Sequence, residues 1–349
     1  EVIPQEVIKE KDYTILFHDI FTSGIAYLDM YFDISMVDTK LLPYVTILSA
    51  LLSKMDTKQK SYSDLSNEIF ASTGGINFDP DVLVSDDKKR QILAKLIVSG
   101  KAIGDNVKTL VDLIGEIMFD TKLENENRVR EILLQLKSRT EMRMSYRGNV
   151  VAATRVSSYY LGSQKYTEKL KGLEFFWFLS DILADFDNKK NEVMENLNYV
   201  YQKLFNINNL VISVTGEKSD LNKVKQSLGK ITDRLIKTAI KKERFCFVPS
   251  KANEGIQANY NVQYVAKGYD YIKLGYEYHG GLRVVSTILN GDYLHNRVRA
   301  QGGAYGVGVQ IEKNGNLVIW SYRDPNLQET LSVYDNIPEY LDSLNLNDV

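Results

Sequence analysis

At 349 residues the chain exceeds the length at which one hydrophobic core usually stops growing, so two domains, or one complete domain and part of another, are expected. Its 44% hydrophobic and 25% charged residues are those of a folded protein and exclude a disordered or collagen-like chain. Lys+Arg 43 against Asp+Glu 45 leaves a net charge of -2, which provides no global basic field and argues against a nucleic-acid partner.

In chain order, the first clear strand places Ala26, Leu28, Met30, Phe32 and Ile34 on one face and Asp29 and Asp33 on the other. Leu41 to Met55 is apolar enough for a buried helix, and Ser63-Asp64 can cap a second helix running to Ser72. Gly74-Gly75 end that helix and release a strand from Ile76 to Val84. The run Lys88-Lys89-Arg90 after Asp86-Asp87 reads as a solvated turn. Ile92, Ala94, Leu96 and Val98 alternate as a further strand, and Val107, Leu110, Val111, Ile114 and Met118 mark the buried stripe of the next helix. More helices follow through about Phe205, one of them carrying Val193, Leu197, Val200 and Leu204. A strand from Leu210 to Val214 and a helix with Val224, Leu228 and Ile231 close a first domain expected over residues 1–245. Strands and helices in such clusters predict an α+β layered fold, with helices covering one sheet face.

From Lys241 to Gln257 charge, Pro249 and Gly255 interrupt the pattern as an interdomain linker would, and a second domain is expected over 246–349. Tyr260, Val262, Tyr264 and Ala266 alternate as a strand, Tyr271 to Tyr278 reads as another, and helical segments fill His279 to Ala300. Gly303 to Ile311 and Leu317 to Tyr322 then form a hairpin around Asn314-Gly315, a pair that tolerates a type I′ turn. Asp324 can cap the last helix, with Pro325 at its first position and Leu327, Leu331, Tyr334, Leu341 and Leu344 at helical spacing. "FASTGGINF" and "VRAQGGAYG" both read as helix end, glycine pair, strand start, which indicates two diverged copies of one unit, the second truncated. Overlaying them sets Arg299 on Ala71 and Tyr305 on Asn77, so the second copy alone holds a cation and a phenol.

The lone Cys246 has no internal disulfide partner and excludes a thiolate zinc site, which suits a reducing, cytoplasmic or organellar compartment. No apolar run is long enough to span a bilayer, so no membrane partner is expected, and the opening Glu1 to Glu10 lacks a signal-peptide profile. Beginning without methionine, the chain reads as a segment of something longer. His18, His279 and His295 have no histidine or carboxylate three or four residues after them, and no H-E-x-x-H, H-x-x-E-H or nucleophile elbow occurs. The glycines of "GGAYGVG" lead into a strand, where phosphate loops lead into a helix.

What remains is Arg299 and Tyr305 on either side of Gly302-Gly303. Arg offers five donors and Tyr one, and neither changes protonation near pH 7, so the pair can hold a carbonyl oxygen or the oxyanion it becomes. They can supply neither base nor nucleophile. The competing reading has Arg299 complementing its helix dipole and Tyr305 half-buried against neighbours.

The stretch "LHNRVRAQGGAYGVGVQ", followed by "VIWSYRDPNLQETL", resembles the fourth structural repeat of the presequence-protease branch of the pitrilysin and insulinase zinc peptidases. The upstream "LPYVTILSALLSKMDTKQKSYSDLSNEIFASTGGINF" is similar to that branch's third repeat. The resemblance implies two pitrilysin-like α/β sandwich repeats, each a mixed, mainly antiparallel sheet covered by helices. It also implies an amino-terminal half of the same polypeptide that binds zinc through H-x-x-E-H, and a closed chamber for unstructured peptides. In this chain Ile47 and Leu51 fall in the histidine slots and Ala50 in the glutamate slot, so no metal is expected here. By the same resemblance Arg299 and Tyr305, with Gly302 and Gly303, bind the substrate carbonyl beside the scissile bond. Arg297 would pair with Gly303 at the same spacing, which favours Arg299. The expectation is thus the substrate-enclosing, metal-free half of a zinc metalloendopeptidase, inactive alone. The alternatives are a wholly inactive binding or scaffold subunit, and a small-molecule enzyme using Tyr305 as general acid, for which no cofactor fingerprint exists.

Overall fold

A computed structural model describes residues 3–86, 89–239 and 245–344. The chain divides into two compact units, the first made of Glu1–Leu83, Leu93–Ser138 and Phe175–Phe245, the second of Val84–Ile92, Arg139–Glu174 and Cys246–Val349. The expected boundary near residue 245 is thus one of several crossings. Arg90 shows why the 84–92 loop joins the second unit: its Nη1 donates to Asp270 Oδ1 at 3.0 Å and to the Asn314 carbonyl at 2.8 Å. The expected solvated turn therefore holds at Arg90 a half-buried ion pair, while Asp87 and Lys88 lie outside the described residues.

The first unit carries a six-stranded sheet of β1 (Glu6–Lys9), β2 (Thr14–Asp19), β3 (Ile25–Asp33), β4 (Ile76–Val84), β5 (Ile92–Ile103) and β6 (Leu210–Gly216), in the order β1-β2-β6-β3-β5-β4. β6 runs parallel to β2 and antiparallel to β3. Alternation on β3 buries Ala26, Leu28, Met30 and Phe32 completely. Around this core stand α1 (Leu42–Leu51), α2 (Tyr62–Ser72), α3 (Asn106–Asp120), the first part of α4 (Glu126–Tyr146), and, later in the chain, α8 (Phe186–Leu204) and α9 (Lys218–Thr232). Between these come α5 (Gly148–Ser157), α6 (Gly162–Lys171) and α7 (Leu173–Ala184). The stripes of α3 and α9 pack on each other, burying Val111, Ile114, Val224, Leu228 and Ile231. α2 is capped two residues earlier than expected: Ser61 Oγ accepts from the Asp64 N–H at 3.2 Å, and Asp64 occupies the first turn.

The second unit has an antiparallel sheet, β7 (Ala266–Asp270), β8 (Gly306–Ile311) and β9 (Asn316–Tyr322), in the order β7-β9-β8. Its helices after β7 are α10 (Gly281–Ile288), α11 (Gln328–Asp335) and α12 (Ile337–Asp342). Val265, Val309 and Ile319 bury one sheet face against Leu289, Tyr293, Leu294, Val298 and Tyr334. α5 packs on β7 and β9, where the Tyr160 hydroxyl donates to Asn316 Oδ1 at 2.8 Å.

Three expected elements differ. The strand beginning at Tyr260 starts only at Ala266, because Gln263 is occupied in an isolated bridge to Asp324. Tyr271 to Tyr278 is not a strand: the Tyr276 N–H returns to the Tyr271 carbonyl at 3.2 Å, closing a turn. The hairpin loop is three residues long, since Glu312 N–H bonds the Asn316 carbonyl at 2.8 Å and only Gly315, at φ 97, is left-handed.

Both units repeat one arrangement. β3-β5-β4 and β7-β9-β8 have the same order and antiparallel sense, and in each the closing hairpin follows a helix and a glycine pair. The second glycine is left-handed in both, Gly75 at φ 108 and Gly303 at φ 81.

Candidate functional site

The backbone that presents Arg299 and Tyr305 begins as α10 and then widens into two π-helical segments, Leu289–Tyr293 and His295–Gln301. The buried residues Leu289, Tyr293, Leu294 and Val298 recur at spacings of four and five, which suits the wider turn. The helix closes through Gly302 N–H to the Arg297 carbonyl (3.1 Å), Gly303 N–H to Arg299 (3.0 Å) and Ala304 N–H to Val298 (3.1 Å). Each glycine of the pair is required. A Cβ on Gly302 would lie 2.6 Å from the Val298 carbonyl oxygen, and Gly303 sits at φ +81.

The turn is held from outside as well. Asn326 Nδ2 donates to the Gly302 carbonyl at 2.6 Å. Asp324, fully buried, accepts from the Asn326 N–H at 2.9 Å and from Thr330 Oγ1 at 2.8 Å. It therefore closes a local turn ahead of α11, which starts at Gln328, in place of the expected cap on Pro325. Asn290, from the first π segment, grips the outer edge of β8 with both ends of its amide: Oδ1 accepts the Val309 N–H at 2.7 Å and Nδ2 donates to the Val309 carbonyl at 3.1 Å.

On this braced turn the two predicted side chains are free. Arg299 is exposed on the last helical turn, and among the described residues its guanidinium makes no hydrogen bond or ion pair. Tyr305 is 70% exposed, so it is no core residue, and its hydroxyl is likewise unbonded among the described residues. The Tyr305 main chain is fixed by its N–H, shared between the carbonyls of Tyr322 (3.0 Å) and Arg323 (3.3 Å). Its ring stands edge-on to Tyr322 at 6.0 Å. The structure brings Arg299 and Tyr305 to the two ends of one turn without bonding one to the other. Arg297, the competing arginine, lies on the same helix within 3.5 Å of Gln301 Oε1. Two unpaired donors emerging from a rigid backbone can bind an external oxygen without first breaking an internal bond.

The sequence reading did not assign a role to Tyr322, Arg323, Asn290 or Asn326. Tyr322 links Tyr305 to Tyr264, whose ring lies 5.7 Å further on, and the Arg323 guanidinium lies 5.6 Å from the Tyr322 ring centroid. Burial holds the Tyr264 phenol above its ordinary range, so its hydroxyl stays protonated and donates to the Ser145 carbonyl at 2.8 Å. Tyr322, Arg323 and Asn326 all lie in "VIWSYRDPNLQETL", which carries the resemblance, but spacing alone gives none of them a role, and Asn290 stands in no such stretch.

Zinc was expected outside this chain. The histidine-slot residues Ile47 and Leu51 are fully buried aliphatic groups on α1 and do not fit a metal site. Among the described residues no group of three or more His, Cys, Asp or Glu side chains is placed to hold a metal ion, and no helix is long and apolar enough to cross a membrane.

The family profile for the associated domain of peptidase M16, subfamily C, matches residues 1–182, and that for "PreP C-terminal domain" matches 253–348. The chain is 36% identical to Protein HypA of Clostridium perfringens over 97% of its own length and 35% of that protein's. It is 28% identical to Presequence protease 1, chloroplastic/mitochondrial, of Arabidopsis thaliana over 99% of its length and 32% of that protein's. It thus spans about a third of the curated relatives it matches. Its fold is similar to that of the peptidase M16 inactive domain from Pseudomonas fluorescens, with a TM-score of 0.66 at 15% identity, covering 98% of this chain and 80% of that one. A conserved protein from Enterococcus faecalis gives a TM-score of 0.70 at 14% identity, covering 99% and 82%. The chain belongs to the family of domains associated with subfamily C of the M16 peptidases and carries the carboxy-terminal domain of presequence-protease-like members.

Proposed function

We propose that this chain is the substrate-enclosing, non-metal half of a zinc metalloendopeptidase that degrades unstructured oligopeptides. The observation that carries the proposal is the pair of unbonded donors, Arg299 and Tyr305, displayed from a turn whose own backbone groups are satisfied. Arg299 places positive charge, and Tyr305 a hydroxyl donor, on the oxygen of the peptide carbonyl under attack. As that oxygen gains charge both bonds strengthen, which lowers the barrier more than it tightens substrate binding. Gly302 and Gly303 let the backbone turn tightly enough for both donors to serve one oxygen. Metal and general base belong, on this reading, to an amino-terminal half of the same polypeptide.

Removing one such donor costs about 10² to 10³ in rate, so Arg299→Ala in the full-length protein is expected to lose that much kcat and Tyr305→Phe a similar amount, with zinc content unchanged. Steady-state kinetics on an unstructured fluorogenic peptide, with metal analysis of the same samples, is the test. Wild-type turnover by Arg299→Ala would refute the assignment. The buried aliphatic groups at Ile47 and Leu51 also suit a second reading, a wholly inactive peptide-binding or scaffold subunit. Absence of an H-x-x-E-H helix from the full-length gene product would decide for that second reading.

A further inference from the structure

We propose that Arg323 is a specificity-determining residue that binds a carboxylate of the peptide held by Arg299 and Tyr305, an inference that rests on reading that pair as a carbonyl grip. Arg323 directly follows β9 and lies at φ 47, in the left-handed region that side chains adopt at a cost and glycine at none. A turn alone would be served better by glycine or asparagine, so the exposed guanidinium calls for a use.

Its surroundings indicate which use. The Arg323 carbonyl accepts the Tyr305 N–H at 3.3 Å, so the two residues are tied through the main chain. The guanidinium lies 5.6 Å from the Tyr322 ring centroid, and Tyr322 stands edge-on to Tyr305 at 6.0 Å. It also approaches the Tyr264 hydroxyl, a donor to Ser145, and among the described residues no carboxylate pairs with it. Asp324, the next residue, faces inward and is spent on Asn326 and Thr330. Arg323 is thus a cation without an anionic partner among the described residues, one ring away from the proposed carbonyl grip. Guanidinium pairs with carboxylate through two parallel N–H bonds, and two arginines flanking Tyr305 repel a cationic side chain in the same place. The ligand class is therefore an extended peptide with an acidic side chain, or a free carboxy terminus, near the bond that Arg299 and Tyr305 address.

The test uses full-length protein and unstructured fluorescent peptides in which glutamate is moved through the positions flanking the cleaved bond. Each is paired with its glutamine counterpart and made with both a free and an amidated terminus. Wild type is expected to bind one glutamate peptide, or one free-acid peptide, roughly fivefold more tightly than its neutral partner at low salt, as suits an exposed ion pair. The preference should fade as salt rises. Arg323→Gln and Arg323→Gly are expected to erase it while leaving the neutral peptides within about twofold, and Arg323→Lys to keep part of it. Arg323→Gly also relieves the left-handed backbone and so guards against a folding defect. Equal changes in acidic and neutral peptides, or no preference in wild type, would overturn the proposal. Arg299→Ala run in parallel isolates the underlying reading: failure of that reading leaves turnover of neutral peptides untouched by Arg299→Ala, whatever Arg323 does to the binding ratio.

Discussion

Gly302 and Gly303 restrict the same turn by different means, and the difference is measurable. Gly303 is left-handed but has open space: a methyl there would meet only Pro325 Cγ, at 3.6 Å. Gly303→Ala is therefore expected to cost about 1 kcal/mol of backbone strain, and Gly303→Asn less. At Gly302 a methyl would stand 2.6 Å from the Val298 carbonyl oxygen, so backbone must move and the cost should reach about 2 to 3 kcal/mol. Denaturant unfolding of the chain carrying each substitution checks the ranking, and equal costs would show that the turn relaxes freely. This much was legible in the sequence, because a glycine pair between a helix and a strand has a local meaning. The preference for Arg299 over Arg297 rests on its six-residue spacing to Tyr305, whereas the contact of Arg297 with Gln301 emerged only with the helix geometry.

At the scale of elements, the site depends on how a π-helical stretch is fastened to an edge strand. In the middle of β8, Asn290 accepts the Val309 N–H and shares the Val309 carbonyl with Ser286 Oγ, which donates to it at 3.2 Å. Replacing it with alanine leaves the Val309 N–H without its partner, while the carbonyl keeps Ser286, and is expected to cost about 1 to 3 kcal/mol. Amide exchange at Val309 should accelerate correspondingly, and unchanged protection there would show that another group replaces the clamp. The helix was predicted over His279 to Ala300, but its π character was not. Four buried residues at spacings of four and five are too few to separate from the ordinary helical stripe. The hairpin was found through Asn314-Gly315, yet its three-residue loop depends on the Glu312–Asn316 bond and on Arg90 reaching the Asn314 carbonyl from far away in sequence.

For the whole molecule, the two units share a strand order and a glycine turn, but only the second places a cation and a phenol there. The proposed division of labour between a metal-binding half and this one predicts that the chain, expressed alone, neither cleaves an unstructured peptide nor binds a stoichiometric metal ion. Incubation with a fluorogenic peptide and metal analysis after dialysis against zinc check both, and one tightly held zinc per chain would sink it. The sequence by itself determined the strands of the first unit from β3 onward and the helices α1, α2, α3, α8 and α9, but not β1 or β2, together with the burial of β3 and α3 and the glycine turn between Arg299 and Tyr305. All of these follow from local periodicity and from the conformational freedom of glycine, which a linear pattern records. Only the tertiary structure decided that Val84–Ile92 and Arg139–Glu174 join the second unit, that Arg90 meets Asp270, and that Arg323 stands beside Tyr305. Those contacts link distant or differently curved segments of the chain, and their partners are selected by packing and charge in three dimensions, which no spacing along the sequence encodes.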